Sequence, residues 1–272
     1  MKHRAPRRNA LSIIPWRPLW ILLVLACSPV SVLAQTVVQP VDESSGPEMG
    51  QDTTSEKDPY ENWNRKVYRF NEFIDDWFLR PVASAYRTVM PSFASRAVTN
   101  FFSNLGEVGN LANSILQLKL ESAVVATGRF TYNTVFGLGG LIDVATVFDL
   151  PERSEDFGQT LGYWGVGSGP YLMLPFLGPS SPRNFSGMLT DTLVLPSPWD
   201  LAEEREVYLG RSLQLVDQRA ALIAAEGFIS GDAYVFVRNA YLQRREFLIN
   251  DGRTLNDPFA SGNDEDLMLD DF

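Results

Sequence analysis

The sequence predicts an all-α body, and three observations carry that reading. Apolar residues recur at helical spacing near both ends of the body. Strand signals are weak; the best is Tyr171-Leu172-Met173-Leu174, and Pro175 limits it. Residues 157–182 form 26 residues without a charge, but six Gly and four Pro break them too often for one membrane-spanning helix.

The elements follow in order. Asp58 is a plausible N-cap, with Pro59 at the first helical position and Glu61 at the third. Tyr60, Trp63, Val67, Phe70, Ile74, Trp77 and Phe78 then step along one helix, which Arg80-Pro81 is expected to end. A second short helix fits residues 81–90. Ser92 suits the cap of a third, with Phe93, Ala97, Phe101 and Phe102 on one side. Residues 100–148 are mostly apolar and small, and residues 130–142 carry no charge. Leu209, Leu213, Val216, Ala220 and Ile223 mark an amphipathic helix. Another spans residues 232–250, with Tyr234, Val237, Tyr241 and Leu248 on one side and Gly252 as its stop.

Composition excludes several functions. The net charge is -10 over 272 residues, so a phosphate backbone is repelled and nucleic-acid binding is not expected. The single His is His3 and the single Cys is Cys27, so the body has no imidazole or thiol. Ser-His-Asp and Cys-His catalysis, His/Cys zinc sites and disulfides are excluded, and no cofactor or metal is expected.

The N-terminus reads as an export signal. Lys2, Arg4, Arg7, Arg8 and Arg17 precede the apolar run Leu19-Trp20-Ile21-Leu22-Leu23-Val24-Leu25-Ala26. Two cleavage sites compete. Val24-Leu25-Ala26-Cys27 is a lipobox-like word that would make Cys27 an acylated first residue and a lipid anchor. Val32-Leu33-Ala34 before Gln35 is an ordinary small-residue site. The expected organisation is a signal peptide over 1–26, a flexible acidic tether over 27–57, a helical domain over 58–250 and a disordered acidic tail over 251–272.

Few residues could carry chemistry. Gly137-Leu138-Gly139-Gly140 lacks the spacing of a dinucleotide loop. It reads either as a hinge or hairpin tip, or as a helix C-cap followed by a turn. Glu155-Asp156 and Asp143 are the conceivable catalytic carboxylates. Burial would raise the Asp143 pKa, whereas a cap or a pair with Arg129 or Arg153 would make it structural. Trp77-Phe78 and Tyr163-Trp164 suit either a bilayer boundary or core packing. Arg244-Arg245 reads as a solvated helix face, with a docking surface as the other possibility.

The body resembles the MlaA/VacJ family of outer-membrane phospholipid-removal proteins. The words that carry the resemblance begin with Asp58-Pro59-Tyr60-Glu61-Asn62-Trp63-Asn64-Arg65, Tyr68-Arg69-Phe70-Asn71 and Arg80-Pro81-Val82-Ala83. Arg129-Phe130, Asn133-Thr134 and Gly137-Leu138-Gly139-Gly140-Leu141-Ile142-Asp143-Val144-Ala145 follow. The last are Phe157-Gly158-Gln159-Thr160-Leu161-Gly162, Gly165-Val166-Gly167-Ser168-Gly169-Pro170-Tyr171, Leu174-Pro175 and Gly178-Pro179-Ser180. The resemblance implies a helical ring embedded in the inner leaflet of the outer membrane, with an amphipathic channel and no catalyst. Misplaced outer-leaflet phospholipid would pass through it toward a periplasmic lipid-carrier protein, beside a trimeric porin. It further implies that the loop at Gly137, Leu138, Gly139 and Gly140 moves near the channel. A passive structural lipoprotein or porin adaptor and a carboxylate-based lipid hydrolase are the competing classes.

Overall fold

The computed structural model describes residues 58–252, apart from 224 and 230. The described elements are helix α1 Glu61–Ile74, a π-turn Asp75–Leu79, α2 Arg80–Val89, α3 Ser92–Leu116 and α4 Leu120–Val135. A 3-10 turn Ala145–Phe148 leads to the short helix α5 Phe157–Tyr163. Strands β1 Leu172–Leu174 and β2 Gly178–Ser180 form one antiparallel hairpin, with Met173 opposite Pro179. Then come α6 Pro182–Leu193, a 3-10 turn Pro198–Leu201, α7 Glu204–Ile223, a 3-10 turn Glu226–Phe228 and α8 Ala233–Ile249. The chain is all-α, as the apolar periodicity predicts; the hairpin falls where the best strand signal lies.

Arg80-Pro81 does not end the first helix. The backbone stays right-handed helical from Ile74 through Arg80, and the Arg80 N–H donates five residues back to the Asp75 carbonyl. That wider turn accommodates the ring of Pro81 and its missing N–H, which would break an ordinary helix. It also aims Asp75 at α7, where Arg219 grips both carboxylate oxygens at 2.7 and 2.6 Å.

The sides of the helices are reversed from a water-soluble protein. The stripe from Tyr60 to Phe78 faces outward. Trp63, Phe70, Phe73, Trp77 and Phe78 are exposed, and of the stripe only Val67 is buried. The buried residue beside it is Asn64, with no exposed surface. On α3 the buried row is Asn104, Glu107, Asn110, Asn113 and Ser114, while Phe93, Phe101 and Ile115 are exposed. Phe102 is the buried apolar residue of that helix.

The apolar core is small. Val67, Tyr171, Met173, Tyr234 and Tyr241 bring α1, the hairpin and α8 together, with the tyrosine rings edge-on at 5.8 to 6.3 Å. Asn64 and Asn71, two helical turns apart, hold the hairpin by their amides. Asn64 donates to the Tyr171 carbonyl at 3.1 Å and accepts from the Met173 N–H at 2.8 Å. Asn71 donates to the Leu174 carbonyl at 2.9 Å and accepts from the Phe176 N–H at 2.8 Å. The two side chains thus satisfy main-chain groups in β1 and just beyond its two ends.

Three local expectations are corrected. Asp58 is not an N-cap. It is buried, accepting from the Asn64 amide at 2.8 Å, from the Tyr234 hydroxyl and from Arg238 at 3.3 Å. Ser92 opens α3 as its first residue, after Pro91 at the cap. Arg245 is not on a solvated face; it is buried on α8 and forks onto Asp156, because the partner carboxylate lies on the facing α5 cap.

Candidate functional site

The interior is a set of polar networks joined across helices. On α4, Arg129 meets Glu107 of α3 at 2.6 Å, with both side chains almost wholly buried. It also donates to the Leu150 carbonyl at 2.6 Å and to Asp143 at 3.3 Å. Burial pushes the Glu107 carboxyl up, against the hydrogen bonds from Asn110 and Arg129. Next to this network, Gln117 donates to Glu155 at 2.9 Å and to the Thr160 hydroxyl at 3.1 Å. Thr160 donates to Asn113 at 2.8 Å, and Asn113 donates to Asp191 at 2.9 Å. These bonds satisfy groups that would cost several kcal/mol if buried alone, on the order of 2–7 kcal/mol each.

A cavity of about 160 Å3, open to solvent on one side, lies beside these networks. One wall is α3, through Phe102, Leu105, Gly106, Gly109 and Asn113. The opposite wall is the Leu195-Pro196-Ser197-Pro198-Trp199 stretch with Arg211 and Gln214 of α7; Glu155 and Asp191 complete the lining. Trp199 stacks on Phe102 with centroids 6.0 Å apart, and the Arg211 guanidinium lies 5.0 Å over the Trp199 ring. The ring comes so close to α7 that a Cβ on Gly210 would stand 2.4 Å from it. At Gly106 and Gly109, by contrast, a Cβ would meet nothing within 4 Å. Two glycines inside a helix each cost about 1 kcal/mol relative to Ala. Here they leave the wall flat and the cavity wide. Burial pushes the Asp191 carboxyl up to about 6, against its hydrogen bonds from Asn113 and the Phe157 N–H.

The structure separates the carboxylate candidates from any common centre. Asp156 caps α5, accepting from the Gln159 N–H at 2.8 Å, and pairs with Arg245. Glu155 receives Lys119 at 3.0 Å. Asp143 receives Arg129, not Arg153, together with Asn133 and Thr146. Its pKa is lowered rather than raised: burial opposes ionisation, but the Thr146 hydroxyl, the Thr146 N–H and Arg129 outweigh it. Each has a structural role.

Gly137, Leu138, Gly139 and Gly140 form the C-terminal turn of α4. Their N–H groups fold back on the helix, from Gly137 to the Tyr132 carbonyl at 3.2 Å, from Gly139 to Thr134 at 3.0 Å and from Gly140 to Asn133 at 2.8 Å. Leu138, Gly139 and Gly140 have φ of 55°, 74° and 96°. A Cβ on Gly140 would stand 2.7 Å from the Asn104 amide of α3, and one on Gly137 would stand 2.1 Å from the Ile142 carbonyl. This is the C-cap-and-turn arrangement, docked against α3. Trp77 and Phe78 stand out from the π-turn and are 76% and 65% exposed; Tyr163 and Trp164 close α5 and are 54% and 52% exposed. None of the four packs in the core. Cys27 lies outside the described residues.

Sequence reasoning missed Arg211, Trp199, Asp191 and the two α3 glycines. They lie on separate segments whose local patterns signal only helix or turn. The one legible hint is Ser197-Pro198-Trp199-Asp200, a capped break that sets an aromatic ring ahead of a helix.

A polar interior, an outward apolar surface and a cavity that mixes aromatic walls with charges define a helical protein built with its polar groups inside and many apolar side chains outside. Among the described residues no helix is long and apolar enough to cross a membrane. Residues 56–248 match the MlaA lipoprotein family model, and the chain belongs to that family. The intermembrane phospholipid transport system lipoproteins MlaA of Shigella flexneri and of Escherichia coli K12 are each 37% identical to it over 227 residues, 80% of this chain and 89% of theirs. The Haemophilus influenzae protein of the same name is 31% identical over 72% of this chain and 80% of its own. A solved chain from work on the structural basis for maintenance of bacterial outer membrane lipid asymmetry matches with a TM-score of 0.63 and 37% identity, covering 71% of this chain and 99% of that chain.

Proposed function

We propose that this protein transports phospholipid, removing molecules misplaced in the outer leaflet of the outer membrane and passing them toward a periplasmic carrier. The observation that carries the reading is the reversal of polarity. Exposed Trp, Phe and Leu side chains suit acyl chains, while the polar and charged lining of the cavity, Asn113, Glu155, Asp191 and Arg211, suits a headgroup. The family membership supports the same reading, since relatives are named for intermembrane phospholipid transport. The protein then lies as a ring in the inner leaflet at the periplasmic face, held by acylated Cys27 and by its own outward aromatics, beside a trimeric porin. The channel needs no catalyst, and the engaged state of Asp143, Glu155 and Asp156 argues against hydrolysis.

The test places a plug in the cavity. Gly106→Leu and Gly109→Leu fill open space on α3, so the protein should fold and localise normally. Cells relying on the double variant should accumulate surface-exposed phospholipid at normal protein level. Unchanged lipid asymmetry would overturn the transport reading of this cavity.

A further inference from the structure

The cavity beside Trp199 holds two charges of opposite sign that have no ionic partner among the described residues. Among the described residues Arg211 has no carboxylate in ion-pair contact. Its guanidinium donates to Gln214 at 3.5 Å and rests over the Trp199 ring. Arg129, Arg219, Arg238 and Arg245 each meet a carboxylate. Asp191 lines the same cavity, accepts from the Asn113 amide at 2.9 Å and from the Phe157 N–H at 2.9 Å, and touches no Lys or Arg among the described residues. Arg245, whose charge reaches Asp191, is already gripped by Asp156. Burial lowers the pKa of Arg211 and raises that of Asp191, the directions expected of charges that have lost water and gained no counter-ion.

We propose that this cavity is a headgroup subsite for a zwitterionic phospholipid, with the phosphodiester at Arg211 and the ammonium at Asp191. The proposal rests on the reading that phospholipid enters the cavity. A guanidinium fork matches two phosphate oxygens, and a carboxylate matches an ammonium. Together they neutralise a headgroup whose own charges sum to zero. A net anionic headgroup without an amine would satisfy Arg211 and leave Asp191 without its partner. The open backbone at Gly106 and Gly109 leaves room for the glycerol, and Leu105 and Trp199 offer the apolar wall that the first methylenes need.

The test uses the full-length protein in detergent, incubated with mixed micelles of equimolar phosphatidylethanolamine and phosphatidylglycerol, repurified, and assayed for bound lipid by mass spectrometry. The wild-type protein should retain more phosphatidylethanolamine than phosphatidylglycerol. Asp191→Asn keeps an acceptor for the Phe157 N–H and should bring the ratio down by severalfold, up to about tenfold. Arg211→Gln should lower both bound lipids by about tenfold, and Arg211→Lys should restore part of that loss, since a point charge replaces the fork. Helicity and elution volume report folding. If Arg211→Gln does not fold, Arg211→Lys and Asp191→Asn carry the comparison alone. Bound lipid at the same amount and ratio in every variant overturns the subsite and leaves the transport reading standing. No lipid on any form, the wild type included, overturns both.

Discussion

Asn64 shows how much one side chain settles in this protein. Its amide joins the Asp58 carboxylate, the Tyr171 carbonyl and the Met173 N–H in a place with no exposed surface. Asn64→Leu removes all three partners at once, and each buried orphan costs about 1–3 kcal/mol. We expect a loss of at least about 3 kcal/mol, read as a lower denaturant midpoint in detergent. Asp191 gives a pH signature of the opposite kind. Its folded pKa of about 6 lies above the ordinary carboxylate value of 3.8. Its contribution is therefore fully present below about pH 4 and is lost as pH rises through about 6. Asp191→Asn should leave stability unchanged near pH 4 and gain up to about 3 kcal/mol above pH 6. A thermal-melting series of the two proteins from pH 4 to 7 reads that difference, with the other carboxylates cancelling.

At the scale of elements, the glycine turn after α4 is where sequence and structure can be set side by side. The sequence allows two readings for Gly137, Leu138, Gly139 and Gly140, and the hydrogen bonds back to Tyr132, Asn133 and Thr134 match the capped turn. Motion of this loop is a separate proposal, and substitution distinguishes the cases. Gly140→Val meets both a φ of 96° and the Asn104 amide, and should destabilise the protein by about 1–3 kcal/mol. Gly139→Val has open space and carries only the backbone strain of its φ of 74°. A transport defect in Gly139→Val at normal protein level supports a moving loop; normal surface phospholipid counts against it. Helix positions were legible from apolar spacing because that spacing is the same whichever side faces out. The direction was not legible, because periodicity fixes a stripe and does not say what covers it. The continuation through Pro81 was hidden for another reason: the π-turn that absorbs the proline carries Asp75, whose partner Arg219 lies 144 residues away. The cavity was invisible because its walls come from α3, the Pro196–Trp199 stretch and α7, which meet only in the fold.

For the whole molecule, the outward aromatics and the polar interior make separable contributions. Trp77→Ser with Phe78→Ser removes two exposed rings that touch little of the core. The protein should keep its helicity and melting behaviour while its partition into liposomes falls, because each lost ring removes a large apolar area from lipid. Equal liposome binding by the double variant would show that these rings are not membrane contacts. The transport reading makes an independent demand, that the double-leucine plug at Gly106 and Gly109 block lipid movement without unfolding anything.

The row of Asn104, Glu107, Asn110 and Asn113 beneath the outward face of α3 has a consequence for heredity. In most proteins a polar-to-apolar change inside is the gentler error, and an apolar-to-polar change inside is the lethal one. Here the penalties trade places, since a leucine arriving in the buried row strands a partner that nothing else can reach. A serine arriving outside should leave the fold intact and, under the proposed transport role, weaken only the hold on lipid. A saturation library sorted once by abundance and once by lipid asymmetry should therefore resolve into two populations along each helix, alternating with its turns, so that drift on the outer face tracks the membrane while the inner face is held nearly still.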